Sequence, residues 1–442
     1  MRLNITDRYK SFYFIGIGGV SMSGLAKYLL SLGKKVGGSD NAANAYTEEL
    51  AASGAEISIF PEIKNIENYE LIVYTDAVSE NDVYLNEAKK SDKTIISRGK
   101  FLYEISRNFN KTIAVSGCHG KTTCTAMLTN IFHAANKNFT AHMGGNDLNF
   151  SNFYSGGNDF FITEACEYRK NFLYLKPDIA LILNSDADHL ECYGSKEALK
   201  QSYIDFASAA DVGITLYKDL NLPFGYTFGF DKNADFCAKN IRVSNGIQHF
   251  TLCEGGAETI EIGLNALGKH NVLNAVAAAA AARCSGIGYD KIKEGLFAFK
   301  GVERRFERIG MYNGADAIAD YAHHPNELKA VIRTAQKLTE GRLYIIFQPH
   351  TYSRTKLLFN EFVRVLSQQS NVMVYKTFAA REYFDDAGSA YTLSLALKKA
   401  RYGEGIQDVK NFLSGCRSGD LILFLGAGDI YFLAKKILDK TV

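Results

Sequence analysis

The sequence predicts an α/β protein of three successive domains, and three observations predict it. Short, near-continuous apolar runs alternate with segments of helical period, the pattern of buried parallel strands joined by crossover helices. Glycine clusters follow two of those runs, at residues 16–19 and 117–120. From Val212 to Leu264 the pattern gives way to short alternating segments, which predict an antiparallel insertion or edge sheet.

The first block opens with a β-rich run from Ser11 to Ile17, then a helical stretch from Met22 to Leu32. Val36 to Ser39, Leu71 to Tyr74 and Thr94 to Ser97 follow as short apolar strands. The second block begins near Asn108, with a strand over Thr112 to Val115 and a helix over Thr122 to Ala135. Phe160 to Thr163 and Ile179 to Leu183 read as buried parallel strands, and Phe236 to Val243 and Gln248 to Leu252 as edge strands. An Ala-rich helix runs from Asn271 to Cys284. The third block starts near Arg304, with strands at Leu343 to Phe347, Val372 to Tyr375 and Leu421 to Leu425. The domains are accordingly placed at 1–107, 108–303 and 304–442.

Composition narrows the function. The chain of 442 residues is 47% hydrophobic and 22% charged, with a net charge of +2. That balance fits an ordinary globular protein and argues against a nucleic-acid-coating or membrane-surface role. Its eight cysteines form no C-x-x-C pair, so they read as reduced thiols of a cytoplasmic protein rather than a structural zinc site. No apolar run reaches about 18 residues, so no membrane insertion is expected.

The segment Gly117-Cys118-His119-Gly120-Lys121-Thr122-Thr123 lies between a strand and a helix start. Its glycines let backbone N–H groups approach a polyphosphate, and the helix N-terminus favours the anion. Lys121 meets terminal phosphate charge, and Thr122 offers a hydroxyl to Mg²⁺. Val115 stands where the full phosphate-loop pattern has its first glycine. Glu164, at the carboxyl end of the next strand, is placed to hold Mg²⁺ beside Thr122. His189, in Asn184-Ser185-Asp186-Ala187-Asp188-His189, is either a further ligand or a solvated or capping histidine.

The first glycine loop runs Gly16-Ile17-Gly18-Gly19-Val20-Ser21-Met22-Ser23-Gly24, with Asp40 at the end of the following strand. Ser21 breaks the dinucleotide fingerprint, and the loop suits NAD or another diphosphate such as a nucleotide sugar. Two phosphate-cradling loops in adjacent blocks point to a transferase or ligase before a nicotinamide-dependent oxidoreductase. Arg304 and Arg305 are either a solvated pair or a phosphate clamp. Asp320-Tyr321-Ala322-His323-His324-Pro325 ends a strand and starts a helix, with one histidine expected in a site and the other structural. Gln348-Pro349-His350-Thr351-Tyr352-Ser353-Arg354-Thr355 also ends a strand; Arg354 suits a carboxylate partner and Ser353 an N-cap.

Taken together these segments resemble the Mur ligase family, from "FIGIGGVSMSGLA" through "GSD", "YTDAV", "SRGKFL", "GCHGKTT", "EACEYRKNFL", "NSDADHLECYG", "GKHNVLNAVAA", "GVERRFE", "DYAHHPNEL" and "QPHTYSRT" to "GAGDI". The resemblance implies a Rossmann-like N-terminal domain, a central P-loop-type ATP-binding α/β domain with an antiparallel edge sheet, and a C-terminal Rossmann-like α/β domain. It implies an ATP- and Mg²⁺-dependent joining of L-alanine to the lactyl carboxylate of UDP-N-acetylmuramate through an acyl phosphate, by a monomer or weak homodimer. A murein-peptide ligase, attaching a tripeptide to the same sugar nucleotide, is the close variant.

The implied site follows residue by residue. Gly18, Gly19, Ser21, Met22 and Ser23 surround the sugar nucleotide's diphosphate, with Asp40 toward the uridine. Gly117, His119, Gly120, Lys121, Thr122 and Thr123 hold ATP, and Asn271 meets the adenine. Thr122, Glu164 and His189 bind Mg²⁺. Arg305 and Asp320 close on phosphates and ribose. Tyr321, His323, His350 and Arg354 shape the muramyl carboxylate and alanine site, with His323 as the candidate base. Thr351 and Ala322 stand where many members carry Arg and Gly.

Overall fold

The computed structural model describes residues 4–60, 66–78, 82–186, 190–222, 224–380 and 382–439. It divides into two compact units, Met1–Val302 and Glu303–Val442.

The first unit holds two sheets. A five-stranded sheet runs in the order Glu56–Ile59, Lys35–Asp40, Ser11–Ile15, Leu71–Tyr74, Thr94–Ser97, all parallel. Ser11–Ile15 is buried along its whole length, which is why it reads as an unbroken apolar run. A ten-stranded sheet carries Lys111–Ser116 between Ile179–Ile182 and Phe160–Glu164, all parallel. Phe139–Asp147 and Ser151–Ser155 extend one side. On the other side the expected antiparallel segment is more continuous than the sequence suggests. Val212–Leu216 and Tyr226–Gly229 still pair in parallel, and the antiparallel ladder begins where Phe236–Ser244 meets Ile247–Glu254, ending in Ala257–Leu264. The insertion is thus the rim of the central sheet. The Ala-rich helix is Lys269–Cys284, with Ala275 through Ala282 buried without exception, so small side chains let it lie close on the sheet.

Within this unit the helix Val20–Ser31 packs on the strands Phe139–Asp147 and Ser151–Ser155. The seam is polar and specific. Asn152 Nδ2 donates to the Val20 carbonyl at 2.8 Å and to Ser23 Oγ at 2.9 Å, and Lys27 Nζ donates to Asn152 Oδ1 at 2.7 Å.

The second unit is a six-stranded sheet in the order Glu307–Tyr312, Ala315–Asp320, Leu421–Leu425, Leu343–Phe347, Asn371–Tyr375, Arg401–Gly403, parallel except for its first strand. Both faces are covered. Ile345, Phe347, Leu421 and Leu423 pack in one core and Tyr344, Ile346, Ile422 and Phe424 in the other. The period-2 alternation of strand side chains therefore appears as a continuous apolar run. Pro325 opens the helix Pro325–Leu338, as its fixed φ favours.

Candidate active site

The strand Lys111–Ser116 delivers the chain into a loop shaped by two glycines in left-handed conformations, Gly117 at φ +119° and Gly120 at φ +87°. A Cβ at Gly117 would lie 3.0 Å from the backbone of Asn184, and one at Gly120 would lie 2.5 Å from Asn274 Oδ1. Both positions therefore require glycine. Asn184 braces the turn: its Oδ1 accepts from the His119 N–H at 3.0 Å, and its Nδ2 donates to the His119 carbonyl at 2.9 Å. The helix Lys121–Ala134 starts at once, with no side-chain cap from Gly120. Its first-turn amides form an anion-binding end. Thr123 lies buried in that first turn.

Lys121 Nζ donates to the Gly117 carbonyl at 2.6 Å, the Cys118 carbonyl at 3.3 Å and both Glu167 carboxylate oxygens at 3.0 Å. Burial pulls its pKa down, but the Glu167 charge outweighs burial and holds it above the usual lysine range. Glu167 is 1% exposed. Sequence reasoning missed it, although it is the second acid of the "EACE" segment.

Thr122 Oγ1 donates to Glu164 Oε2 at 3.2 Å, and the Gly144 N–H donates to Glu164 Oε1 at 2.5 Å. A hydroxyl and a carboxylate side by side at the foot of a phosphate loop are the hard oxygen donors that Mg²⁺ prefers. Among the described residues no group of three His, Cys, Asp or Glu side chains is gathered to hold a metal. Two protein oxygens with phosphate and water oxygens suit Mg²⁺, which keeps several waters. His189 lies outside the described residues. Asn271 is buried, its Nδ2 donating to the Leu267 carbonyl at 2.8 Å.

The first glycine loop is built differently. Asp40 Oδ2 accepts from the Gly18 N–H at 2.8 Å, so this acid shapes the loop from within. Gly19 precedes the helix Val20–Ser31 without a side-chain cap, again leaving an anion-binding end. Met22 sits in the core and Ser23 Oγ faces Asn152, so contacts from these two to a ligand here must come from the backbone. Ser21 Oγ accepts from Arg98 Nη1 at 3.4 Å. His142, also unanticipated, is buried, and burial lowers its pKa to about 4. The ring is therefore neutral: Nε2 faces the Ser21 carbonyl at 2.9 Å and carries the proton, and Nδ1 accepts from Thr163 Oγ1 at 3.0 Å.

The second unit gathers the remaining predicted residues. Asp320 ends the strand Ala315–Asp320, and its carboxylate accepts from the Phe306 N–H at 2.8 Å and the Ala322 N–H at 2.7 Å. Burial raises its pKa to about 6 against the opposing pull of Arg305 and those amides. The Arg304 and Arg305 guanidiniums lie 4.8 and 5.0 Å from the centre of the Tyr321 ring. Arg304 Nη2 also donates to the Gly426 and Gly428 carbonyls at 3.0 and 2.8 Å, so Arg304 is structural and Arg305 is the arginine of the pair nearer Asp320's charge.

The two neighbouring histidines take different surroundings. His324 caps the helix Pro325–Leu338, while the His323 ring stands 5.8 Å from that of His350. His323 Nδ1 donates to the Tyr321 carbonyl at 3.0 Å, and burial lowers its pKa despite Glu327. His350 is lowered to about 4 by burial, then by His323 and Arg354, and its Nδ1 accepts from Arg354 Nη1 at 3.2 Å. Arg304, Phe306 and Thr351 all adopt positive φ, at +60°, +52° and +67°, and for β-branched Thr351 this is strained. Thr351, not Ser353, precedes the helix Tyr352–Leu357; Ser353 instead bonds Glu382.

Comparison with known proteins places three domain descriptions along the chain. "Mur ligase family, catalytic domain" matches residues 11–110, "Mur ligase middle domain" residues 115–282 and "Mur ligase, glutamate ligase domain" residues 304–428. The UDP-N-acetylmuramate–L-alanine ligase of Clostridium beijerinckii is 39% identical over 455 residues, covering 98% of each chain. The crystal structure of UDP-N-acetylmuramate–alanine ligase MurC from Thermotoga maritima superimposes with a TM-score of 0.86 at 27% identity, over 97% of this chain and 98% of that one. A murein peptide ligase from Psychrobacter arcticus shares the fold, with a TM-score of 0.73 at 23% identity over 97% and 98% of the two chains.

Proposed function

The chain belongs to the Mur ligase family, and from that premise we propose that it joins L-alanine to the lactyl carboxylate of UDP-N-acetylmuramate at the expense of ATP, in peptidoglycan precursor synthesis. One observation carries the reading: the Lys121 phosphate loop stands beside the Thr122–Glu164 pair in a chain alike, nearly end to end, to ligases of that name. The murein-peptide alternative rests on a weaker likeness that speaks for the fold alone.

In this reading residues 1–107 bind the sugar nucleotide, 108–303 bind ATP, and 304–442 supply the amine-side residues. The lactyl carboxylate attacks the γ-phosphorus of ATP, giving an acyl phosphate and ADP. The amine of alanine then attacks the acyl carbon, and the tetrahedral intermediate collapses to the amide with loss of phosphate. Lys121 and the amides of the loop 117–120 neutralise the transferred phosphoryl group. Thr122 and Glu164 would hold Mg²⁺, with His189 as a further ligand, and the ion would supply further charge neutralisation. His323 takes a proton from the amine: its Nδ1–H is engaged by the Tyr321 carbonyl, and its lowered pKa leaves Nε2 unprotonated at neutral pH. Arg354 and His350 receive carboxylate, and Asn271, Arg305 and Asp320 receive adenosine and phosphate. No helix among the described residues is long and apolar enough to cross a membrane; the reading takes the enzyme as cytoplasmic and as a monomer or weak homodimer.

The test is phosphate release with ATP, UDP-N-acetylmuramate and single amino acids. Release that requires the sugar nucleotide and is fastest with L-alanine supports the reading. Release independent of the sugar nucleotide, or a requirement for a tripeptide, overturns it.

A further inference from the structure

The phosphate-loop lysine is already fully engaged. An ammonium has three N–H donors, and those of Lys121 are taken by the Gly117 carbonyl, the Cys118 carbonyl and the Glu167 carboxylate. The charge that is to meet a nucleotide's terminal phosphate is therefore paired with a protein anion in this structure.

Glu167 is held firmly enough to act as that anion. Its side chain is nine-tenths buried or more, at 1% exposure. Its main-chain carbonyl accepts from the Lys170 N–H at 2.9 Å and from the Tyr193 hydroxyl at 2.5 Å, which fixes the segment on which the carboxylate stands. A phosphate oxygen bonded to the same tetrahedral ammonium would lie roughly 4.5–5 Å from this carboxylate, each being one charge-assisted hydrogen bond from the nitrogen. At that distance, in a half-buried site, two anions repel appreciably.

We propose that Glu167 is a positioning residue that sets nucleotide affinity: it holds Lys121 against the loop carbonyls and yields it to the terminal phosphates when a nucleoside di- or triphosphate binds. The inference rests on the ligase reading only for the identity of that ligand. Exchange of partner has two consequences. Nucleotide entry works against an existing ion pair, which keeps affinity moderate. After phosphoryl transfer and nucleotide departure the carboxylate recaptures the lysine, so the buried ammonium is never left without an anion.

The sign of one substitution separates this from a structural role. Glu167→Gln keeps the shape and one acceptor but removes the competing charge. Mg·ADP should bind the full-length variant about tenfold more tightly than wild type in calorimetry, the scale of one nearby charge removed, while the melting temperature of the nucleotide-free variant falls. A residue that only supported the loop would lower both. Weaker or unchanged Mg·ADP binding by a folded Glu167→Gln protein overturns the inference. If the variant does not fold, a crystal structure of wild type with ADP decides: Lys121 Nζ displaced from Glu167 onto phosphate oxygen supports it, and an undisturbed Lys121–Glu167 pair overturns it. A wild-type protein that binds no nucleotide would end the ligase reading and this inference together. Tight wild-type binding with no gain in the variant ends this inference alone.

Discussion

His142 ties the ten-stranded sheet to the helix Val20–Ser31: its Nε2 donates to the Ser21 carbonyl at 2.9 Å while its Nδ1 accepts from the Thr163 hydroxyl at 3.0 Å. Ser21 lies in the first turn of the helix Val20–Ser31, just past the first glycine loop, and Thr163 precedes Glu164 in the strand Phe160–Glu164. His142→Leu leaves both partners without the ring, and unfolding free energy in urea should drop by about 2 kcal/mol. On the proposed function the KM for UDP-N-acetylmuramate should rise more than that for ATP, because the ring holds the first turn of the helix that follows the first glycine loop. An unchanged urea midpoint would refute the role.

The same ring predicts a pH dependence. Its folded pKa is about 4, below the 6.5 of an unperturbed histidine, with burial the first cause. The unfolded chain binds the extra proton first, so the stabilisation is complete above about 6.5 and is lost as pH falls toward 4, amounting to about 3 kcal/mol. His142→Gln has no such titration, and its stability should fall less than wild type's between pH 7 and 4.5. Parallel curves would count against the assignment.

Asp320 works in the opposite sense. Its pKa is raised to about 6, chiefly by burial. Protonation favours the fold, so its contribution is greatest below about 3.9 and is lost as pH rises through 6, again by about 3 kcal/mol. Carbon-detected NMR should place the midpoint of this carboxyl near 6, and a midpoint below 4 would show that Arg305 and the two amides outweigh burial.

Gly24 tests how tightly the seam is packed. It lies inside the helix Val20–Ser31, where alanine gains up to about 1 kcal/mol in propensity. A Cβ there would stand 2.8 Å from His142 Cδ2 and 3.4 Å from the Asn152 carbonyl. Overpacking of this kind costs about 1–3 kcal/mol, so Gly24→Ala should destabilise on balance. The loss should shrink when His142→Ala is added. Additive losses in that double-mutant cycle would mean the two positions do not touch.

Lys121→Ala should lower kcat at least about 100-fold, as loss of a charge from the transition state does, and Glu164→Gln should shift the Mg²⁺ requirement to higher concentration. Turnover of Lys121→Ala within tenfold of wild type would remove the loop from the chemistry.

The parts of the fold legible in the sequence are those buried on both sides. Leu421–Leu425 and Ile179–Ile182 are apolar throughout because helices or loops cover both faces of their sheets. Phe139–Asp147 was not legible, since Thr140, His142, Gly144 and Gly145 interrupt it for reasons of contact with other elements. Glu56–Ile59 and Arg401–Gly403 are edge strands of 4 and 3 residues, too short to show a period of their own. In the site, glycines at forced backbone angles were visible as a pattern. Glu167 and His142 were not, because a lone acid or histidine declares a role only once its partners are known, and those partners lie 46 and 121 residues away.

Asn184 grips the His119 peptide from both its N–H and its carbonyl side. The turn is therefore moulded during folding, well before any nucleotide arrives, and the entropy of shaping it belongs to the fold and not to the encounter. Arrival of the triphosphate should consequently be limited by diffusion and by exchange at Lys121, with no slow loop-ordering phase in stopped-flow traces.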